Sequence, residues 1–86
     1  LQINKTLSIL NLSYNSLRKA GTEKIIRGLK NNTSIKELNL SVNIIGDEGA
    51  ECIKALLSTN KTLTKLDISG NAFTDTGISK IAEGLA

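Results

Sequence analysis

The sequence predicts an α/β fold, a solenoid of three βα repeats joined through a parallel sheet. Three segments, LSILNLSYNSL, IKELNLSVNII and LTKLDISGNAF, follow one another at a fixed spacing of 28 residues. In each, apolar residues alternate with polar neighbours, which indicates a strand, and apolar residues four apart follow, which indicates a helix. Parallel strands need a long crossover, and the helical half of each repeat supplies it. The recurring positions are Leu7, Leu10, Leu12, Asn15 and Leu17, then Ile35, Leu38, Leu40, Asn43 and Ile45, then Leu63, Leu66, Ile68, Asn71 and Phe73.

An asparagine follows each predicted strand, at the point where the backbone must turn. These residues are Asn15, Asn43 and Asn71. A buried side-chain amide can bond backbone groups that the turn leaves unpaired, including those of the next repeat, and such groups otherwise cost about 1–3 kcal/mol each. We therefore interpret the three asparagines as structural residues rather than catalytic ones.

The helical half of each repeat carries an apolar pair four residues apart. A spacing of four places both members on one helical face, and Ile78 widens this stripe in the third repeat. Glu23 and Arg27 lie on the polar side, where we expect a helix-surface pair. Glycine recurs early in each helix, which suggests a close approach to the neighbouring repeat or to the strand below. The pairs are Ile25 and Leu29, Ile53 and Leu57, and Ile81 and Leu85; the glycines are Gly21, Gly49 and Gly77.

The helix ends also have recognisable candidates. Asp47 and Asp75 precede two of the recurring glycines by two residues, and we expect them to be N-caps. Asn32 and Asn60 stand at the other end, with Asn4 in the same phase. Asparagine tolerates the left-handed conformation that commonly ends a helix, so we expect that conformation there.

The 86 residues are almost wholly repeats, at about 4–31, 32–59 and 60–86. Repeat arrays carry special end repeats that cover their terminal apolar faces, and none is recognisable. We therefore expect residues 1–86 to be one segment of a longer array. In isolation it should be marginally stable or self-associate.

Composition argues against several classes of function. The net charge is +3, with one tyrosine, one phenylalanine and no tryptophan, which argues against nucleic-acid binding. No apolar run approaches the ~20 residues that a membrane span needs. The sequence has no histidine and no glycine-rich phosphate loop. It therefore predicts no catalytic residue, no cofactor and no metal site, and it predicts that the protein is not an enzyme. The lone Cys52 is read as a half-buried filler and indicates a reducing compartment. The N-x-[ST] matches at Asn4, Asn11, Asn31, Asn32, Asn39 and Asn60 are read as accidental.

The pattern LxxLxLxxNxL resembles that of leucine-rich repeats. A 28-residue period with a full helix resembles the ribonuclease-inhibitor-like class, which includes repeat regions of NOD-like receptors, Ran GTPase-activating proteins and tropomodulin-like proteins. The resemblance implies a right-handed horseshoe segment, with the parallel sheet on its concave face and the helices on its convex face. It also implies a cytoplasmic location and a protein partner that docks on the concave face.

By position, the outward residues of the strand halves form columns across that concave face. The second column (Asn11, Asn39, Asp67) and the third (Ser13, Ser41, Ser69) are nearly uniform and polar, as generic repeat surface would be. The first and fourth vary, so we expect specificity there, with Tyr14 the strongest candidate because tyrosine is enriched at binding hot spots. Glu37 and Lys65 are candidates that can also pair with each other. The candidate protein-binding residues are Ile9, Tyr14, Glu37, Val42, Lys65 and Asp67.

The first functional hypothesis is therefore a protein–protein interaction module within a larger protein, bound by adjoining repeats and by a protein partner. One alternative is a structural component, or scaffold, of a cytoskeletal or ciliary assembly. Others are a regulator of a small GTPase, or the sensing region of an innate immune receptor. The sequence favours no individual partner among these alternatives.

Overall fold

The computed structural model describes residues 8–29 and 32–85, in which strands and helices alternate along the chain. The elements are β1 (Ile9–Asn11), α1 (Arg18–Leu29), β2 (Glu37–Asn39), α2 (Gly46–Thr59), β3 (Lys65–Asp67) and α3 (Asp75–Leu85). The predicted roles of Leu7, Asn4 and Asn31 fall outside the described residues. The α/β class and the βα solenoid are confirmed.

The three strands form one parallel sheet in the order β1-β2-β3. Its register matches the repeat period, because Ile9 lies beside Glu37 and Glu37 beside Lys65. Backbone bonding continues beyond the short strands: the Leu12 N–H donates to the Asn39 carbonyl at 2.8 Å, and the Leu40 N–H donates to the Asp67 carbonyl at 2.8 Å. Positions that are equivalent in sequence are therefore neighbours in space.

The core lies between the sheet and the helices and is densest in the second repeat, which has a repeat on each side. Alternate side chains of β2 and its continuation, Leu38 and Leu40, are buried. Towards the end of the third repeat burial is less complete: Ile78 and Leu85, predicted on the inner helical stripe, are exposed. The buried apolar residues are Ile25, Leu29, Ile35, Leu38, Leu40, Ile45, Ala50, Ile53, Leu56 and Ile81.

The predicted N-caps are wrong by a residue or two. Helix α2 begins at Gly46, behind Ile45, and has no side-chain cap, so Asp47 lies within its first turn. Helix α3 begins at Asp75 itself. Both carboxylates still favour the positive end of the helix dipole. Asp47 also bonds the next repeat, since its carboxylate accepts from the Thr74 N–H at 2.8 Å and from the Thr74 hydroxyl.

The predicted left-handed helix ends are also wrong. Asn60 is extended, with φ −86° and ψ 125°. Its side-chain oxygen accepts the N–H groups of Thr62 at 2.9 Å and Leu63 at 2.8 Å. Asn32 bonds Ser34 and Ile35 in the same way, each at 2.9 Å. Both asparagines therefore shape the turn that leads into the next strand, because a short side-chain acceptor satisfies the two N–H groups that the turn exposes.

The recurring glycines make room chiefly for the last apolar residue of the repeat pattern. A Cβ on Gly21 would lie 3.1 Å from the Leu17 Cβ, and one on Gly49 would collide with the Ile45 side chain. The expected neighbouring repeat crowds the position at Gly77, because a Cβ there would meet the Asp47 carboxylate, and it lies in ordinary contact distance at Gly49, where a Cβ would be 3.8 Å from Lys19 Cα.

Ion pairs among the described residues join neighbouring repeats rather than turns of one helix. Lys54 and Glu83 lie 2.8 Å apart, and Lys19 and Glu48 lie 3.9 Å apart. The expected pair of Glu23 with Arg27 does not form within the described chain. Arg27 is exposed, whereas Glu23 is half-buried.

Candidate functional site

The exposed face of the sheet brings four of the six candidate residues together. A shallow depression of about 150 Å³ is lined by Ile9, Glu37, Lys65 and Asp67, with the asparagines of the second column between them. Ile9 is 57% exposed at one side of the depression. The Lys65 ammonium lies 3.8 Å from a Glu37 carboxylate oxygen; the Lys65 side chain is largely exposed and the Glu37 side chain partly so. The depression therefore offers an apolar side chain and both signs of charge.

Residues of the second column accept hydrogen bonds from residues of the third column, so both columns are less available to a partner than the sequence suggested. Asn11 Oδ1 accepts from the Ser13 N–H at 2.9 Å and from its hydroxyl at 2.7 Å. Asn39 Oδ1 accepts from the N–H of Ser41 at 2.9 Å, and Ser41 is buried instead of facing outward. The reason is that the chain turns directly after each strand, and the serine closes that turn.

Asp67 makes the same turn but keeps one oxygen available. Its Oδ1 accepts from the Ser69 hydroxyl at 2.7 Å and from the Ser69 N–H at 3.0 Å. These bonds, the hydroxyl's first, lower the pKa of Asp67 below its usual value, and the charge of Lys65 adds to the shift. Asp67 is therefore a carboxylate at neutral pH whose Oδ2 has no partner within the described chain.

Tyr14 and Val42 lie apart from the depression, on the loops that follow β1 and β2. Together with Ile44 they form what we call the apolar ridge: Tyr14 is 78% exposed, Val42 37% and Ile44 47%. All three have a positive φ, of 59°, 54° and 58°. A Cβ on Gly70, the third member of the fourth column, would lie 3.1 Å from Val42 Cγ2, so the loops are closely packed.

Sequence reasoning missed Ile44 as a surface residue. A usable signal was present, because the equivalent positions of the other repeats are Ser16 and Ala72. An isoleucine at a position that is small or polar elsewhere, and outside the strand and helix periods, has no core to enter. It is therefore a candidate contact residue.

Two of the three structural asparagines, Asn43 and Asn71, link their loop to the one before it, whereas Asn15 is exposed and its amide nitrogen bonds the Leu12 carbonyl of its own loop. Asn43 is fully buried. Its amide nitrogen donates to the carbonyls of Leu12 and Leu40, each at 2.9 Å, and its oxygen accepts from the Asn15 N–H at 2.8 Å. Asn71 repeats this arrangement one step along, with bonds to the Leu40 carbonyl at 2.9 Å and the Asn43 N–H at 2.6 Å. These bonds hold the loops that carry the apolar ridge.

The remaining candidates for chemistry have simple explanations. Cys52 is half-buried, and burial, followed by the charge of Glu23, raises the pKa of its thiol. Within residues 8–29 and 32–85, no group of three His, Cys, Asp or Glu side chains is placed to hold a metal ion. No helix in that part of the chain is both long and apolar enough to cross a membrane.

A protein of known structure has a similar fold. A solved structure titled "Leiomodin-1 Actin-Binding Site 2 (ABS2)" superposes with a TM-score of 0.86 at 25% sequence identity. The match covers 95% of this chain and 48% of the leiomodin chain, so this chain spans about half the length of that structure. No curated protein sequence matches.

The sequence profile of the family described as "Leucine Rich repeat" matches three times, at residues 4–25, 31–54 and 59–82. The matches are spaced like the repeats of the structure and together cover well over half of the chain. Their phase agrees with the register of the sheet, in which equivalent residues of adjacent repeats lie side by side. The chain belongs to the leucine-rich repeat family.

Proposed function

We propose that this chain is a protein-interaction module that docks a protein partner on the exposed face of its sheet. The observation that carries the proposal is the combination of two exposed features. The depression on the sheet holds Glu37, Lys65 and Asp67, and the loops that follow the strands carry the apolar ridge with the 78% exposed Tyr14. Interfaces of this kind combine an aromatic anchor with charged groups that fix orientation.

The backbone beneath this surface supports binding without rearrangement. Asn43 and Asn71 tie the loops to one another through buried hydrogen bonds. Asn11, Asn39 and Asp67 close the turns after the strands. A surface held in this way loses little conformational entropy when a partner docks, which favours affinity.

Actin is the partner that the structural likeness favours for a first test. The matched structure carries actin-binding site 2 in its title, and the likeness covers nearly all of this chain. We accordingly propose a cytoplasmic location and a cytoskeletal scaffold role for the larger protein. The alternatives of a GTPase regulator and an immune receptor rest on family resemblance alone.

The proposal is tested by measuring binding to fluorescently labelled monomeric actin and co-sedimentation with actin filaments. The sheet-face variant combines Tyr14→Ala with Lys65→Ala, which removes the aromatic anchor and one charge. We expect it to bind about tenfold more weakly, since loss of a hot-spot contact costs more than ~1 kcal/mol.

The matched control combines Ile78→Ala with Lys24→Ala on the helix face, where both side chains are exposed. It should bind within about twofold of the native chain, as changes outside an interface do. Equal binding by the native chain and the sheet-face variant would exclude docking on this surface. Binding of neither actin form by the native chain would exclude actin as the partner.

A further inference from the structure

A second cavity lies on the opposite, helix face, between α1 and α2. It encloses about 300 Å³, and its apolar wall consists of Ile26, Ala55 and Leu56. Glu23, Arg27, Cys52 and Thr59 also line it. We call this cavity the convex cleft. Its size is at the lower end of the range for ligand pockets, which suits one inserted side chain rather than a large molecule.

The same place between α2 and α3 is closed, which shows what the convex cleft lacks. There, Lys54 pairs with Glu83 at 2.8 Å, and Lys80 pairs with Glu51 at 3.6 Å. Gly84 lets the helices approach, because even an added Cβ would lie 2.8 Å from the Lys54 carbonyl oxygen. Two ion pairs therefore bridge α2 and α3 at this place, and one glycine lets the two helices pack closely.

The repeat spacing of 28 residues shows how the first pair of helices differs. Ile26 and Ala55 stand at the positions that Lys54 and Glu83 occupy in the second pair of helices. Glu23 stands at the position of Glu51, but Cys52 stands at the position of Lys80. The buried Leu56 stands where α3 has Gly84. The convex cleft is therefore an apolar space beside an acid whose cation is absent.

The charges around the convex cleft favour a cation inside it. Glu23 is half-buried and forms no ion pair within the described chain, whereas Arg27, which also lines the cleft, is exposed. Lys19 is engaged by Glu48 at 3.9 Å. After burial, the negative charge of Glu23 contributes most to the raised pKa of Cys52, and it acts more strongly on the thiol than the positive charge of either Lys19 or Arg27 does.

We propose that the convex cleft binds a lysine side chain presented by a partner protein. The methylene stem lies against Ile26, Ala55 and Leu56, and the ammonium group pairs with Glu23. Lysine suits this space because its aliphatic stem packs on apolar surface while its charged head reaches a polar edge. The proposal is independent of docking on the sheet face, because the residues involved lie on opposite faces of the solenoid.

Cys52 provides a direct assay of the chemistry of the convex cleft. The full chain is equilibrated, in excess 2-mercaptoethanol, with equal amounts of the disulfides of 4-aminobutanethiol, 4-mercaptobutanoic acid and butanethiol. Mass spectrometry then measures each adduct at Cys52. We expect the amine adduct to exceed the carboxylate adduct about fivefold, the factor that a partly exposed ion pair supplies.

Two variants assign that preference. Glu23→Gln should bring the ratio of amine to carboxylate adduct close to one. Glu83→Gln removes a carboxylate from the helix face outside the convex cleft and should leave the ratio unchanged. Equal adducts in the native chain, or a preference that survives Glu23→Gln, would overturn the proposal.

A second measurement separates a protein partner from a small amine. Alanine-based helical peptides, each with one lysine, norleucine or glutamate, are titrated into the ¹⁵N-labelled chain. We expect only the lysine peptide to shift the amide signals of Cys52 and Ala55, and the Cys52→Ser variant should respond in the same region. Capture of the amine disulfide without any response to the lysine peptide would assign the convex cleft to a small amine and overturn docking of a protein.

Discussion

Two junctions join the three repeats: the first lies between the first and second repeats, and the second lies between the second and third. On the sheet side the two junctions are alike. At the first junction Asn43 bonds the Leu12 carbonyl and the Asn15 N–H. At the second, Asn71 bonds the Leu40 carbonyl and the Asn43 N–H. The strand registers are also the same, with each residue beside its counterpart 28 positions on.

On the helix side the two junctions differ. The second is closed by Lys54 with Glu83 and by Lys80 with Glu51, whereas the first leaves the convex cleft open. Helix α3 begins under the carboxylate of Asp47, and the equivalent residue beneath α2 is a lysine, Lys19. The repeat pattern therefore determines how the sheet side is built, and residues outside the pattern determine how the helices meet.

The largest expected effect concerns the sheet side, on which the two junctions are alike. Asn43→Ala and Asn71→Ala should each lower the free energy of unfolding by about 3 kcal/mol, because each leaves buried carbonyl and N–H groups without partners. The two losses should agree within about 1 kcal/mol if the junctions are equivalent there. Urea denaturation followed by circular dichroism measures both.

The control for this pair is Asn15→Ala. Asn15 is exposed, and among residues 8–29 and 32–85 its amide nitrogen bonds only its own loop, at the Leu12 carbonyl (2.8 Å) and the Ser13 carbonyl (3.1 Å). We expect a loss of about 1 kcal/mol, the ordinary net worth of hydrogen bonds that water can replace. A loss at Asn43 no larger than the loss at Asn15 would contradict the linking role of the buried asparagines.

A smaller effect is expected where the two junctions differ in side-chain bulk. Gly84→Leu places a side chain 3.0 Å from Lys54 Cα and 3.2 Å from Leu57 Cβ, so α3 must move away from α2. Overpacking of this kind costs about 2 kcal/mol. Thermal unfolding measures the loss, and amide chemical shifts of α2 report the opening of the second junction.

The matched change is Gly28→Leu, at the equivalent position of α1, which is exposed. Because it replaces an exposed helical glycine with a better helix former, it should be neutral or stabilise the chain by up to about 1 kcal/mol. If Gly84→Leu were equally harmless, close approach of the helices would not explain why the second junction is closed.

Much of the fold was predictable because the repeats report on one another. Alternating leucines identified the strands, and the recurring asparagines pointed to the loops that Asn43 and Asn71 occupy. The helix ends were not predictable from residue type alone. Asn60 can adopt a left-handed or an extended backbone, and the choice depends on the N–H groups of the turn that follows it.

Exposed contact residues were predictable only where the residue type at a single repeat position indicated them. Tyr14 could be proposed because a tyrosine in an outward column has no core to enter. The convex cleft could not, since it depends on pairs such as Lys54 with Glu83, which are 29 residues apart and meet only once the packing of adjacent helices is known. Placing the repeats beneath one another shows Ile26 and Ala55 at those positions, but only the structure shows that they face each other.

The smallest expected effect is a pH dependence confined to the second junction. Hydrogen bonds from Thr74 lower the pKa of Asp47, and the Lys54 ammonium lowers the pKa of Glu83. A carboxyl whose pKa is lower in the folded chain stabilises it fully above the unfolded pKa and ceases to do so as pH falls through the folded value. The unfolded values are close to 3.8 for Asp47 and 4.5 for Glu83, so the loss begins below about pH 5.

Amide hydrogen exchange at about pH 6 and pH 3.5, corrected for intrinsic rates, should therefore show α3 losing protection relative to α1. The effect is small, because both carboxyls are near the surface, where water screens their interactions. In the variant Asp47→Asn, Asp67→Asn, Glu83→Gln, which also replaces the third carboxyl whose pKa is lowered, the difference between the helices should vanish, since none of the three amides titrates. A loss of protection shared equally by α1 and α3, and retained in that variant, would mean that acid weakens the whole chain. The two junctions would then differ in shape alone and not in charge.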